Sequence, residues 1–284
     1  MYKLIDGKEV SNHVKTKVRE EVDALKEKGI EPALAVIIVG NDPASRVYVN
    51  NKKKACEFTG MRSVEYAMPE ETTEEELLAV IDKLNADDSI NGILCQLPVP
   101  KHISEKAVIE RISAKKDVDV FSAENVGKMW QGDYDMASCT PMGVIELLDY
   151  YGIDVCGKNC VIIGRSNIVG KPMASLLLER SATVTICHSR TKNLSEITSK
   201  ADLIVAAVGR AKFVTADMVK EGAIVVDVGI NRNEDGKLCG DVDFENVKDK
   251  CEFITPVPGG CGPMTIAVLM KNTLLACKKQ NGII

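Results

Sequence analysis

Val161-Ile162-Ile163-Gly164-Arg165-Ser166-Asn167-Ile168-Val169-Gly170-Lys171-Pro172 passes from a short apolar run through a glycine turn into the start of a helix. The order is that of a Rossmann phosphate loop, in which backbone N–H groups and a helix amino end meet a pyrophosphate. Its spacing departs from Gly-x-Gly-x-x-Gly: Ser166 stands in the second glycine's place, and the later glycine is displaced to Gly170. By spacing alone the signal is weak, but its setting between a strand and a helix raises it.

Downstream, strands are expected at Asn159–Ile163, Thr183–Cys187, 203–208 and 224–228, with one more at 253–254 and helical segments between them. The second of these ends at Cys187-His188-Ser189-Arg190, where an NAD enzyme would offer an acid to the ribose hydroxyls. None is present. Ser189 and Arg190, with Arg165, suit a 2′-phosphate, because guanidinium forks match phosphate oxygens and a carboxylate would repel them. That favours NADP over NAD; the competing reading is that these arginines are merely exposed. Gly229-Ile230-Asn231 follows the strand at 224–228 and is placed to touch the nicotinamide half, while His188 reads as a strand-end residue rather than a catalyst.

Upstream, Ala33–Val39 reads as a strand, Pro43–Thr59 as a helix and 63–67 as a strand. A second helix over 73–86 and a third strand over 92–96 follow, in a βαβαβ order that predicts a parallel sheet. Asp42 is a good N-cap for the first helix, Pro43 suits its first position, and Gly60 ends it; Thr73 and Glu76 make a capping box for the second. Tyr48 and Lys52 then share one helix face, since residues i and i+4 stand about 5–6 Å apart there. Taken alone, the bland account is a packed tyrosine and one of three solvated lysines. Gln96-Leu97-Pro98-Val99-Pro100 directly follows the third strand, and its prolines fix a turn at the same rim. A boundary is expected near 137–141, with Thr140 capping a helix that Pro141 begins and that runs to Leu148. An apolar helix over 265–278 is expected to return to the first domain. There is no short-period repeat and no low-complexity tract.

At 284 residues, 45% of them hydrophobic, the chain can fill two cores. Its net charge of −5, from 36 basic and 41 acidic residues interspersed, implies no basic face for nucleic acid or membrane, so a small-molecule partner is favoured. No apolar run approaches the roughly 20 residues that span a bilayer, and the first residues lack a signal peptide's apolar core; a cytoplasmic protein is expected. Ten cysteines form no Cys-x-x-Cys pair, and Cys156 and Cys160 have no second ligand pair nearby, so reduced, packed thiols are expected rather than structural zinc, and no metal. With only His13, His102 and His188, proton chemistry falls to lysine, tyrosine or carboxylate.

Pro256-Val257-Pro258-Gly259-Gly260-Cys261-Gly262-Pro263-Met264-Thr265 joins rigid prolines to glycines that let backbone approach a ligand. Together with Tyr48-x-x-x-Lys52, Gln96-Leu-Pro-Val-Pro and Gly164-Arg-Ser, it resembles the bifunctional methylenetetrahydrofolate dehydrogenase/methenyltetrahydrofolate cyclohydrolase family over nearly the whole chain. The resemblance implies an α/β protein of two domains with a folate cleft between them. These are an N-terminal catalytic domain with a βαβ parallel sheet (1–138, with the helix at 265–284 packing back) and an NADP-binding Rossmann domain (139–264). It further implies a homodimer formed chiefly through the Rossmann domains, and a place in one-carbon metabolism that feeds purine synthesis. By motif match Lys52 is the catalytic lysine, Tyr48 its neighbour over the substrate and Gln96 its hydrogen-bonding partner. Asp119, in Lys116-Asp117-Val118-Asp119, is the pterin-holding carboxylate. Val49, Cys95, Leu97, Pro258, Gly259, Gly260, Cys261 and Gly262 complete the implied folate contacts. Gly164, Arg165, Ser166, Ser189, Arg190, Ile230 and Thr265 form the implied nucleotide contacts.

The family usually follows Asp-Val-Asp with glycine, whereas here Val120-Phe121-Ser122 stand, and Cys261 stands where valine is common. A β-branched residue after Asp119 restricts φ and bears on where that carboxylate points. Without the resemblance, Asp119 reads equally as a surface carboxylate paired with Lys115 or Lys116. Two rivals remain at this point: a shikimate-dehydrogenase-like oxidoreductase with a lysine base, and a nucleotide-sensing binding protein that has lost turnover. The first does not need Gln96-Leu-Pro-Val-Pro or the Pro258 to Pro263 turn, and the second does not need Tyr48, Lys52, Gln96 and Asp119 together.

Overall fold

A computed structural model describes residues 2–233 and 235–284. In chain order its strands are β1 (Lys3–Leu4), β2 (Ala33–Val39), β3 (Arg62–Met68), β4 (Gly92–Cys95), β5 (Asn159–Ile163) and β6 (Thr183–Cys187). They continue with β7 (Leu203–Ala206), β8 (Ala223–Asp227), β9 (Asn231–Arg232), β10 (Leu238–Cys239) and β11 (Cys251–Ile254). The helices are α1 (Gly7–Lys26), α2 (Pro43–Thr59), α3 (Glu74–Ala86), α4 (Glu105–Arg111) and α5 (Ala123–Gln131). After them come α6 (Cys139–Tyr150), α7 (Gly170–Glu179), α8 (Leu194–Thr198), α9 (Phe244–Val247) and α10 (Cys261–Gln280). Two compact units result, Asn12–Cys139 with Ile266–Ile284, and residues 2–11 with Thr140–Thr265.

In the first unit a parallel sheet runs β3-β2-β4. All seven residues of β2 are buried, the continuous apolar run of a central parallel strand with both faces covered. The face that carries Ala33, Ala35, Ile37 and Val39 is packed by Leu77, Ile81 and Leu84 of α3 together with Ile93 and Val108. Helix α2 starts as its sequence dictates: the Asp42 carboxylate accepts the Ser45 N–H at 2.8 Å, Pro43 needs no amide partner in the first turn, and Gly60 closes the helix at φ 74°. Thr73 and Glu76 form the capping box that starts α3. Asn272 of α10 donates to Val118 O (2.8 Å) and Ala137 O (2.9 Å), and Gln280 donates to Asn91 O (2.9 Å), so the helix is fixed by its side chains to backbone carbonyls of this unit.

The second unit is a parallel sheet ordered β1-β11-β8-β7-β5-β6 among the described residues. Chain order reverses at β5: β6 lies on one side, while β7 and β8 lie on the other. That leaves the loops after β5 and β7 diverging at a topological switch point, where open α/β sheets bind ligands. Apolar residues of β5, β7 and β8, among them Val161, Ile163, Ile204 and Val225, make the core.

Three local expectations change. Residues 2–11 belong with the Rossmann unit, because β1 pairs with β11 (Lys3 with Phe253, Leu4 with Ile254) and the Asp6 backbone N–H donates to Tyr151 Oη at 2.9 Å. Thr140 does not cap α6, which begins at Cys139; its hydroxyl meets that of Thr265 at 2.9 Å. The strands expected at 92–96 and 203–208 end at Cys95 and Ala206, which frees the residues beyond them for loops.

Candidate active site and nucleotide site

Lys52 lies on the third turn of α2, four residues after Tyr48, and Gln96 is the first residue beyond β4. Lys52 Nζ donates to Gln96 Oε1 at 2.8 Å. Gln96 is held in turn, since its Nε2 donates to Leu97 O at 2.7 Å and its backbone N–H to Ile37 O at 2.8 Å. The Leu97-Pro98 peptide is cis. Burial holds the Lys52 ammonium below the usual lysine range, while the negative charge of Asp119 pulls the other way. Burial also pushes the Asp119 carboxyl up. Lys52 opposes that rise, Asp117 adds to it, and a hydrogen bond with the Cys139 thiol opposes it. An amine with a raised neutral fraction, a neutral amide and a carboxylate thus converge within one unit, which suits proton transfer at a bound substrate.

Asp119 does not pair with Lys116, whose Nζ donates to Leu84 O (2.9 Å) and Asp87 O (2.7 Å) at the end of α3. The loop that carries Asp119 is pinned by Asp117, whose carboxylate accepts from Phe121 N (3.0 Å), Ser122 N (2.8 Å) and Asn125 Nδ2 (3.1 Å). Val120 sits at φ 61° in this turn, in the left-handed region that a β-branched residue rarely adopts, with its side chain fully buried. Tyr48 is 38% exposed and open to a ligand, whereas Val49 and Cys95 are buried. Leu97, Asp117, Asp119 and Phe121 line a cavity with Ile93 and Val108. Cys139 escaped the sequence reading. Its one signal was its place beside the Thr140-Pro141 boundary; its thiol also reaches Val118 O at 3.3 Å.

In the second unit Gly164 closes β5 at φ 139°, and a Cβ there would lie 2.2 Å from Ala207 O, so backbone of two strands meets where a side chain cannot fit. The Ser166 hydroxyl accepts from Val169 N (3.1 Å) and Gly170 N (3.3 Å), which explains a serine in place of the second glycine: it satisfies amides at the start of α7. Arg165, Ser189, Arg190 and Ile230 are exposed. His188 Nδ1 accepts the Arg190 N–H at 3.2 Å, so the ring shapes the turn after β6. Val257-Pro258 is cis, Gly259 (φ 109°), Gly260 and Cys261 are buried, and Gly262 faces the Ile230 side chain. Asn231 turns its amide to Asp241 at 2.8 Å. Among the described residues no group of three or more His, Cys, Asp or Glu side chains is arranged to hold a metal, and no helix is long and apolar enough to cross a membrane.

The fold and these two sites define a two-unit α/β protein, with a Rossmann unit and a second unit in which Lys52, Gln96 and Asp119 converge. Residues 5–119 match the tetrahydrofolate dehydrogenase/cyclohydrolase catalytic domain, and residues 138–281 match the NAD(P)-binding domain of the same family. The chain belongs to the tetrahydrofolate dehydrogenase/cyclohydrolase family. It is 62% identical to a bifunctional protein FolD of Campylobacter curvus, over 98% of this chain and 96% of the relative. The solved bifunctional FolD enzyme of Campylobacter jejuni is 53% identical and superposes with a TM-score of 0.96 over 98% of this chain and 99% of that one. The FolD of Trypanosoma brucei, solved with NADP and an inhibitor, is 36% identical with a TM-score of 0.93 over 98% of each chain. Shikimate 5-dehydrogenase of Thermus thermophilus, at 15% identity, TM-score 0.55, and coverage of 87% of this chain and 99% of that one, shares the fold alone.

Proposed function

We propose that the chain oxidises 5,10-methylenetetrahydrofolate with NADP⁺ and then hydrolyses the resulting 5,10-methenyl cation to 10-formyltetrahydrofolate. The observation that carries this reading is the contact of Lys52 with Gln96 beside Asp119, inside the stretch that matches the family's catalytic domain. In the first reaction the methylene carbon between two folate nitrogens loses a hydride. Bound NADP⁺ supplies the acceptor for that hydride, and the chain's contribution is alignment. Asp119 holds the pterin by accepting its N–H groups, and Tyr48 covers the substrate.

In the second reaction water adds to the methenyl carbon, its proton passes to the neutral Lys52 amine, and one C–N bond opens as its nitrogen is protonated. Gln96 orients the amine without adding charge. The residues present fit NADP: the Gly164 turn leaves a backbone cradle, the end of β6 carries no carboxylate, and Arg165, Ser189 and Arg190 stand exposed around it. The Trypanosoma relative solved with NADP supports the same choice.

A homodimer through the Rossmann unit belongs to the same reading. Strand β6 is one edge of the sheet, and Ile186 (37%) and Leu178 (58%) are exposed on β6 and on α7, which packs against it. Ten free cysteines match a reducing, cytoplasmic setting. Assay of the purified chain with methylenetetrahydrofolate and each nicotinamide cofactor tests the whole proposal. NADP⁺ reduction faster than NAD⁺ reduction, with formyl product, is expected, and the absence of both oxidation and hydrolysis overturns it.

A further inference from the structure

We infer that Asp241, backed by Asp227, is a positioning residue for the nicotinamide half of the dinucleotide: its buried carboxylate sets the loops after β7 and β8, and through them hydride transfer but not hydrolysis. The inference rests on the dehydrogenase reading above. Four donors converge on Asp241: the N–H groups of Val208 (2.6 Å), Gly209 (3.0 Å) and Arg210 (2.9 Å), and Asn231 Nδ2 (2.8 Å). Asp227 accepts from Gly229 N (2.9 Å), Asp241 N (3.0 Å) and Val242 N (2.8 Å), while its own N–H is held by Thr255 Oγ1 at 2.7 Å. Both carboxylates are buried, Asp241 completely.

Two adjacent buried acids are an expensive way to fill a core, and apolar residues of equal volume would pack there at lower cost. The cost shows at Asp227, pushed up to about 6 chiefly by burial, with the charge of Asp241 adding to the rise. What the pair does that apolar residues cannot is collect amides from two separate loops, 207–210 and 229–231. Both loops leave the carboxyl ends of neighbouring strands, at the rim where Gly164 abuts Ala207. A Cβ on Gly229 would lie 2.2 Å from Asp241 Cγ, so the carboxylate sits directly under the backbone it orders. Ile230 is held between the two anchors, with Gly229 on Asp227 and Asn231 on Asp241, and stays 47% exposed at the rim. Lys52, Gln96 and Asp119 belong to the other unit and make none of these bonds.

Asp241→Asn keeps the volume but turns one acceptor oxygen into a donor facing N–H groups. Dehydrogenase kinetics with NADP⁺ varied, and cyclohydrolase rates on methenyltetrahydrofolate without nucleotide, are to be measured on one preparation. The expected result is a fall of at least about tenfold in kcat/KM for NADP⁺, with hydrolysis per folded molecule within about twofold of wild type, as loss of a bond to a charged acceptor implies. Both activities falling together, or neither changing, overturns the inference. Should the variant not fold, amide exchange on the wild-type chain decides: Val208, Gly209 and Arg210 are expected to be protected like strand amides before any nucleotide is added. Exchange at solvent rates there overturns the inference as well. Failure of the underlying reading looks different, since the wild-type chain then shows neither activity.

Discussion

An amine accepts a proton only in its neutral fraction, and that fraction is what the surroundings of Lys52 control. Burial lowers its affinity for a proton, and the Asp119 charge restores part of it. Hydrolysis is therefore expected to rise with pH to a plateau, with an inflection below the ordinary lysine value. Replacing Asp119 by Asn removes the charge that favours the ammonium, so the inflection is expected to move lower still. A pH–rate profile at saturating substrate checks the sign, and an upward move refutes the electrostatic account. Cys95, pushed up to about 12 by burial, and Cys139, which burial pushes well above the ordinary thiol range, stay protonated through this range and leave the profile to Lys52. Lys52→Met is expected to lower hydrolysis by about 10²–10⁴-fold, the usual span for a positioned acid–base group, with nucleotide binding by titration unchanged. Full retention of hydrolysis in that variant removes Lys52 from the mechanism.

Elements decide where such residues end up, and they were unequally legible in the chain. Helix α2 announced both ends through Asp42, Pro43 and Gly60, and Tyr48 and Lys52 inherited their shared face from it. The Asp119 loop gave no such signal. Its conformation depends on Asp117 gathering N–H groups four and five residues ahead, and on Val120 being held left-handed at a cost of about 1–3 kcal/mol. Removing the clamp with Asp117→Ala leaves those donors unsatisfied. It is expected to cost about 3 kcal/mol in denaturant unfolding and to weaken folate binding along with it. At the end of β6 the sequence was plainer, because the missing acid is visible by inspection. Ser189→Asp with Arg190→Ala is expected to lower the NADP⁺-to-NAD⁺ preference by at least about tenfold, comparable to the loss of one charge-assisted phosphate contact. Unchanged preference in steady-state kinetics places the 2′-phosphate elsewhere.

At the scale of the whole chain, two α/β units followed from alternating apolar runs, but their borders did not. Strand β1 is two residues long and pairs with β11 some 250 positions away, a contact no local period encodes, so the tie of residues 2–11 to the second sheet is not legible in the sequence. The Asp227 and Asp241 anchors were missed for the same reason, because each reads as an ordinary loop or strand-end acid until the tertiary fold brings amides to it. The edge of the Rossmann sheet is the converse case, visible only in the fold yet open to a direct test. An unpaired parallel edge with exposed Ile186, covered on one face by a helix with exposed Leu178, is a surface that soluble chains ordinarily blunt with charge or cover with a partner. If a second copy covers it, Ile186→Lys combined with Leu178→Glu buries charge in the contact and shifts the chain to monomer in sedimentation velocity. Both positions are exposed in the single chain, so thermal stability of the monomeric unit is expected to stay within about 0.5 kcal/mol of wild type. A wild-type chain that sediments as a monomer at micromolar concentration, or a variant that remains dimeric, places the interface elsewhere or removes it.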